Sequence, residues 1–180
     1  GLVAYYPFDG NASDMSGNRL HGTLHGPILV EDRHGVAGKA YSFDGNDYIK
    51  VSQNQLLDIQ DNLTLSAWFR GNQLSNEGGI LNYGKGGSGG STAYGIWSSG
   101  YFVTSQYDLA PNARLMVEST PLINGKWYHA AFAFSQGKGK AYLDGVLTVI
   151  KTSANHQSLA FASGRDLRIG VDHPGGPEYF

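Results

Sequence analysis

Short runs of β-branched and aromatic residues alternate along the chain with clusters of Gly, Asn, Asp and Ser. Runs near 2–7, 40–43, 47–51, 63–70, 79–83, 93–98, 101–107, 114–118, 127–135, 138–143, 146–151 and 167–171 read as strands. Their regular spacing predicts an antiparallel sandwich or barrel. Asp144-Gly145 sits between two such runs and predicts a two-residue hairpin, whose central residues need positive φ. In 127–135, Tyr128, Ala130, Phe132 and Phe134 face one way, and His129, Ala131 and Ala133 the other. Both sets are mostly apolar, which predicts a strand covered on both faces. Leu63 to Phe69 alternates with one wet side. No useful helical period and no internal repeat is present. Gly84 to Ser91 reads as a loop tip, because strand patterns continue on both sides of it.

Composition narrows the function. A length of 180 residues predicts one domain. Glycine at 26 residues argues against a helical bundle, where it is costly. The apolar share of 41% argues against disorder. A net charge of −2 gives no electrostatic support for nucleic-acid binding. No apolar run approaches a membrane span, so membrane insertion is not expected. The chain opens on Gly1-Leu2-Val3-Ala4-Tyr5, without a signal-peptide pattern. Cysteine is absent, which removes disulfides, thiol nucleophiles and thiolate zinc sites. Low charge with abundant Gly, Asn, Ser and Tyr suits a secreted or cell-surface protein.

Several motifs fail on context. Gly84-Lys85-Gly86-Gly87-Ser88-Gly89 has dinucleotide-loop spacing, but a strand-like run follows where a helix must hold the pyrophosphate. Gly79 to Lys85 begins like a phosphate loop, yet Gly86 stands where Ser or Thr should ligate magnesium. Gly86-Gly87-Ser88-Gly89-Gly90 resembles a nucleophile elbow, again without its helix. The glutamates (Glu31, Glu77, Glu118 and Glu178) are scattered, and no carboxylate pair stands out for glycoside hydrolysis. His21 and His25 are four apart, but in non-helical sequence; His129 reads as a hydrogen-bonded interior residue. The segment Phe8 to Asn18 is dense in hard oxygen donors, the kind calcium takes. It is not an EF-hand, since Asp14 occupies the glycine position and Leu20 the glutamate position. Asp44-Gly45-Asn46-Asp47 is a second such cluster. Both clusters also suit turns in which Asp and Asn bond their own backbone.

The opening Gly1 to Asn11, then Asp14, Ser16-Gly17-Asn18 and His21-Gly22-Thr23, resembles that of bacterial concanavalin A-like, laminin-G-like jelly-roll domains. Tyr41 to Gly45 with Asp47-Tyr48-Ile49, Leu63 to Phe69, Gly125 to Phe132, Ala141 to Gly145 and Leu167 to Gly170 match in the same order. The resemblance implies an all-β jelly roll of two antiparallel sheets over residues 1–180. It also implies calcium (Ca2+) near the rim, held by Asp9, Asn11, Asp14 and Asn18. Such domains continue after the Ile-Gly strand with an Ile-Asp-(Asp/Glu)-Val-Arg pattern; here Pro177-Glu178-Tyr179-Phe180 follows instead. That departure implies a fragment of a larger protein, or a closing strand supplied otherwise.

The resemblance further implies a glycan site on the sheet or its loops. Sugar recognition needs an aromatic face for the C–H side of the ring and polar groups for its hydroxyls. Tyr94, Trp97, Tyr101 and Tyr107 lie on two consecutive strands with Asn82, Gln106 and Asp108 nearby, and are the expected ligand-binding residues. Trp97 leads, beside Gly95, Ser98, Ser99 and Gly100. Trp68 and Trp127 are expected in the core. The reading that results is a non-catalytic, extracellular, calcium-stabilised module binding a glycan or polysaccharide. One alternative is a protein-binding adhesion or spacer module; another is a jelly-roll glycan hydrolase or lyase.

Overall fold

The computed structural model describes residues 1–180 apart from 73–77, 85–91, 100–101, 110–112, 119–120, 154–156, 160–164 and 172–180; at 92, 99, 102–109 and 113–118 it describes the backbone alone. The described strands are β1 (Gly22–His25), β2 (Ile28–Val30), β3 (Ala40–Ser42), β4 (Tyr48–Val51), β5 (Asn62–Phe69), β6 (Gly78–Gly84) and β7 (Thr92–Ser99). They continue with β8 (Phe102–Leu109), β9 (Ala113–Glu118), β10 (Tyr128–Ser135), β11 (Lys138–Leu143), β12 (Val146–Thr152) and β13 (Leu167–Ile169). A single 3-10 turn, Gln55–Leu57, is the one described helical element, and Asn54 caps it by accepting from the Leu56 amide. Seven strands form one sheet in the order β1-β4-β13-β6-β7-β8-β9, four form another as β12-β11-β10-β5, and β2 pairs with β3. The all-β antiparallel sandwich read from the sequence is the fold.

Alternation decides what each sheet buries. Tyr128, Ala130, Phe132 and Phe134 of β10 point inward and are buried. From the larger sheet Val51, Tyr83, Tyr94, Ile96 and Leu167 meet them. Removing such side chains from water supplies most of the folding drive, about 1.5–3 kcal/mol for each large one. The hairpin between β11 and β12 turns on Asp144 (φ 50°) and Gly145 (φ 81°), as the dipeptide required.

Three expectations are corrected. Residues 2–7 form no ladder; side chains and one main-chain bond, from the Met15 amide to the Tyr5 carbonyl, hold this segment in place instead. Asp14 Oδ1 accepts from the Tyr5 amide, and Asn18 Nδ2 donates to the carbonyls of Leu2 and Val3. Second, the outer face of β10 is only partly covered: His129, Ala131 and Ala133 are half-buried. Third, Trp68 is not a core residue. It shares the outward side of β5 with Thr64 and Ser66 and is 48% exposed. Trp127 is likewise only half-buried.

Candidate functional site

The four aromatic residues expected to bind ligand do not form one surface. Tyr94 and Trp97 are three positions apart on β7, so the pleat sends them to opposite faces. Tyr94 is 2% exposed, stacks on Tyr83 with ring centroids 5.0 Å apart, and donates its hydroxyl to the Leu57 carbonyl at 2.7 Å. Burial pushes its phenol far above the usual range, aided by Tyr83, Asp58 and Tyr6, so it stays a neutral donor. Beside it the Tyr83 hydroxyl donates to Asp58. Tyr94 is therefore a core residue, which corrects its expected role. Tyr94→Phe should lower unfolding free energy by about 1 kcal/mol in a urea titration and leave ligand affinity unchanged. Tyr107 is the register partner of Tyr94, and its side chain lies outside the described residues, as does all of Tyr101.

Trp97 stands on the outer face of the seven-stranded sheet and is half-buried. Its indole lies over Gly95: a Cβ built at 95 would fall on the six-membered ring, with the indole Cζ3 at 2.7 Å and the Leu81 carbonyl oxygen at 2.6 Å. Only glycine leaves room for the ring to lie against the sheet here. Gly95 has Asn82 and Gln106 as register partners, and Asn82 in turn pairs with Arg168. Asn82 itself is 1% exposed, so of this row the half-buried Arg168 is the described polar side chain beside the flat aromatic surface. Such a surface can stack against the apolar face of a pyranose while a polar neighbour meets its hydroxyls.

The four residues expected to hold calcium are tied up otherwise. Asp14 is 5% exposed, and its carboxylate accepts from the amides of Tyr5, Ser16 and Leu20 and from the Ser16 hydroxyl, at 2.8–3.0 Å. Burial raises its pKa, but these donors outweigh that effect and hold the carboxyl below the usual range. Asn18 turns its Nδ2 toward the N-terminal carbonyls, Asn11 accepts from the Ser13 amide, and Asp9 pairs with Lys39 at 3.0 Å. Among the described residues no group of three or more His, Asp or Glu side chains could hold a metal. Asp9, Asn11, Asp14 and Asn18 thus do not fit a shared calcium ion as they stand. Of the second cluster, Asp44 accepts from the Asn46 amide and Asp47 from the Asp44 amide, as in turns.

Glu31 is exposed, Glu77 and Glu178 lie outside the described residues, and only the backbone of Glu118 is described. Reading the sequence missed a second aromatic cluster, around Trp68 and Trp127, which lines a groove of about 2170 Å³ bordered by segment 1–9 and β5.

A family model described as the concanavalin A-like lectin/glucanases superfamily matches residues 43–180. No curated protein matches by sequence. Among solved structures, domain 4 of AbnA is similar over 99% of this chain and 86% of its own, with 20% identity and a TM-score of 0.71. That protein is a GH43 extracellular arabinanase from Geobacillus stearothermophilus, in complex with arabinotriose. The binding domain of botulinum neurotoxin serotype G is similar over 99% of this chain, with 14% identity and a TM-score of 0.71. This chain spans 45% of that domain. The ligand binding domain of botulinum neurotoxin serotype D, in complex with N-acetylneuraminic acid, covers 92% of this chain and 41% of its own, with 15% identity and a TM-score of 0.64.

Proposed function

The chain belongs to the concanavalin A-like lectin/glucanases superfamily, and on that footing we propose that it is a non-catalytic, extracellular glycan-binding module. The observation that carries this reading is the indole of Trp97 laid on Gly95 at the outer face of a rigid sheet. A core tryptophan would lie between the sheets; this one lies outside, on a glycine that leaves room for it. Similar structures in complex with arabinotriose and with N-acetylneuraminic acid support the same substrate class. No helix among the described residues is long and apolar enough to cross a membrane. The proposal assigns no calcium to Asp9, Asn11, Asp14 or Asn18, whose side chains are engaged within the protein.

The test is a titration of a saccharide panel, with arabinotriose and N-acetylneuraminic acid in it, followed by indole fluorescence and calorimetry. Trp97→Ala should weaken the bound member at least about tenfold, equivalent to about 1.4 kcal/mol. The melting temperature should fall by no more than about 4 °C, as for loss of about 1 kcal/mol in a chain of this size. Affinity should be equal in calcium and in EDTA. Unchanged affinity in Trp97→Ala removes Trp97 from the site, and a collapse of stability makes it a packing residue.

A second reading, protein adhesion, is favoured by the edge strand β12, where Val146, Leu147 and Ile150 are exposed. A blank saccharide panel would move the assignment to it.

A further inference from the structure

On the other side of the sandwich, the outer face of the four-stranded sheet carries a different aromatic surface. Arg33, from the loop between β2 and β3, lays its guanidinium over the exposed Trp68 ring, 4.3 Å from the centroid. His129 faces Trp68 across the β5–β10 ladder, with ring centroids 5.1 Å apart. One step along, Arg70 lies over Trp127 at 5.2 Å. All five line the groove, together with His34.

The charge of this face is one-sided. The outward positions are 62, 64, 66 and 68 on β5, 129, 131, 133 and 135 on β10, and 138, 140 and 142 on β11. Their charged residues are Lys138 and Lys140, with no acid, in a chain whose net charge is −2. The acids at its margin are engaged. Asp32 accepts from the amides of His34 and Val36, which shapes the loop that presents Arg33. Asp144 accepts from the His129 amide and lies 4.0 Å from Lys126. A guanidinium stacked on an indole keeps its in-plane N–H donors at the rim, where they match a carboxylate two by two. Ser66 and Ala131, small residues one ladder step away, leave the space beside the two rings open.

We propose that Trp68, Arg33 and His129 form a second saccharide subsite, selective for a pyranose that carries a carboxylate. The indole meets the ring's apolar side, Arg33 takes the carboxylate, and His129 adds a hydrogen bond. This subsite uses none of the residues of the Trp97 platform and lies on the opposite sheet, so either assignment can fail alone.

Two matched probe pairs test it on the full chain: an oligogalacturonate against its methyl ester, and sialyllactose against lactose. At least one acidic member should bind tenfold or more tightly than its neutral counterpart, and more weakly as salt rises from about 50 to about 200 mM. Arg33→Gln and Trp68→Ala should each cost tenfold or more in that affinity. Arg33→Lys, which keeps the charge but loses the fork, should cost less than Arg33→Gln, and Trp97→Ala should cost nothing. Equal binding of acidic and neutral members, no binding of either acid, or full affinity in Arg33→Gln would overturn the subsite. So would an equal loss in Trp97→Ala.

Discussion

Asp14→Ala is expected to destabilise the protein by about 3–5 kcal/mol, the scale for removing one partner from a buried charged hydrogen-bond network. The carboxylate is buried and accepts four hydrogen bonds, three of them from main-chain amides. Deleting it leaves the amides of Tyr5, Ser16 and Leu20 without their acceptor. It also releases the opening segment, which has no ladder of its own and whose Val3, Ala4 and Tyr6 pack on the core. The melting temperature should drop by about 10 °C. Asp14→Asn keeps one acceptor oxygen and turns the other into a donor facing donors, so it should recover less than half of the loss. Hydrogen exchange at the Tyr5 amide is the local readout; protection as in the wild type would mean that Asp14 does not hold the segment.

The same group sets an acid limit. Its folded pKa lies below the unfolded value of about 3.9, so the native state holds its proton less tightly than the unfolded chain. The stabilisation is complete above that unfolded value and is lost as pH falls through the folded one. Stability of the wild type should therefore fall more steeply below pH about 4 than that of Asp14→Ala. Parallel curves would show that another carboxylate governs the acid limb.

How much of this was legible in the sequence depends on whether a residue's face could be read. Where one side of a strand is wet and the other dry, the period of two is visible, and β5, β10 and β11 lie within a residue or two of the expected positions. β1 and β2 escaped because they sit at edges and are mostly exposed on both sides, so their residues carry no alternation to read. The run Leu2 to Tyr6 misleads for the converse reason: it is apolar enough for a strand, yet its backbone bonds mostly to side chains of Asp14, Ser16 and Asn18, with one main-chain bond from Met15 to Tyr5.

Parity also explains the site residues. Trp68 stands an even number of places from Thr64 and Ser66, on the wet side that the alternation had already marked. The apolarity of its neighbours points to the core, but the period of two points outward. Tyr94 and Trp97 differ by an odd number and could not have shared a face. The oxygen-rich opening shows a different limit. Asp and Asn accept equally well from a metal or from main-chain amides, and only the folded backbone distinguishes the two. Arg33 over Trp68 was not legible at all, because a loop some 35 places earlier in the chain delivers it.

Gly95→Val is expected to abolish saccharide binding at the Trp97 platform altogether, a larger loss than Trp97→Ala itself. Valine at 95 puts a branched side chain into the space the indole now occupies. The ring must leave the sheet, and the new methyl groups then stand where a sugar would stack. The overlap also destabilises, by about 1–3 kcal/mol as for overpacking elsewhere. Gly95→Ala separates the two effects. Its single methyl meets both the indole and the Leu81 carbonyl, and only the first contact disappears when the ring is deleted. In the double variant Gly95→Ala with Trp97→Ala, the two stability losses should therefore add to less than their sum, by 0.5 kcal/mol or more, about the smallest coupling expected for residues in contact. Strict additivity would mean that the indole does not rest on Gly95, and the platform would lose the geometry on which its stacking depends.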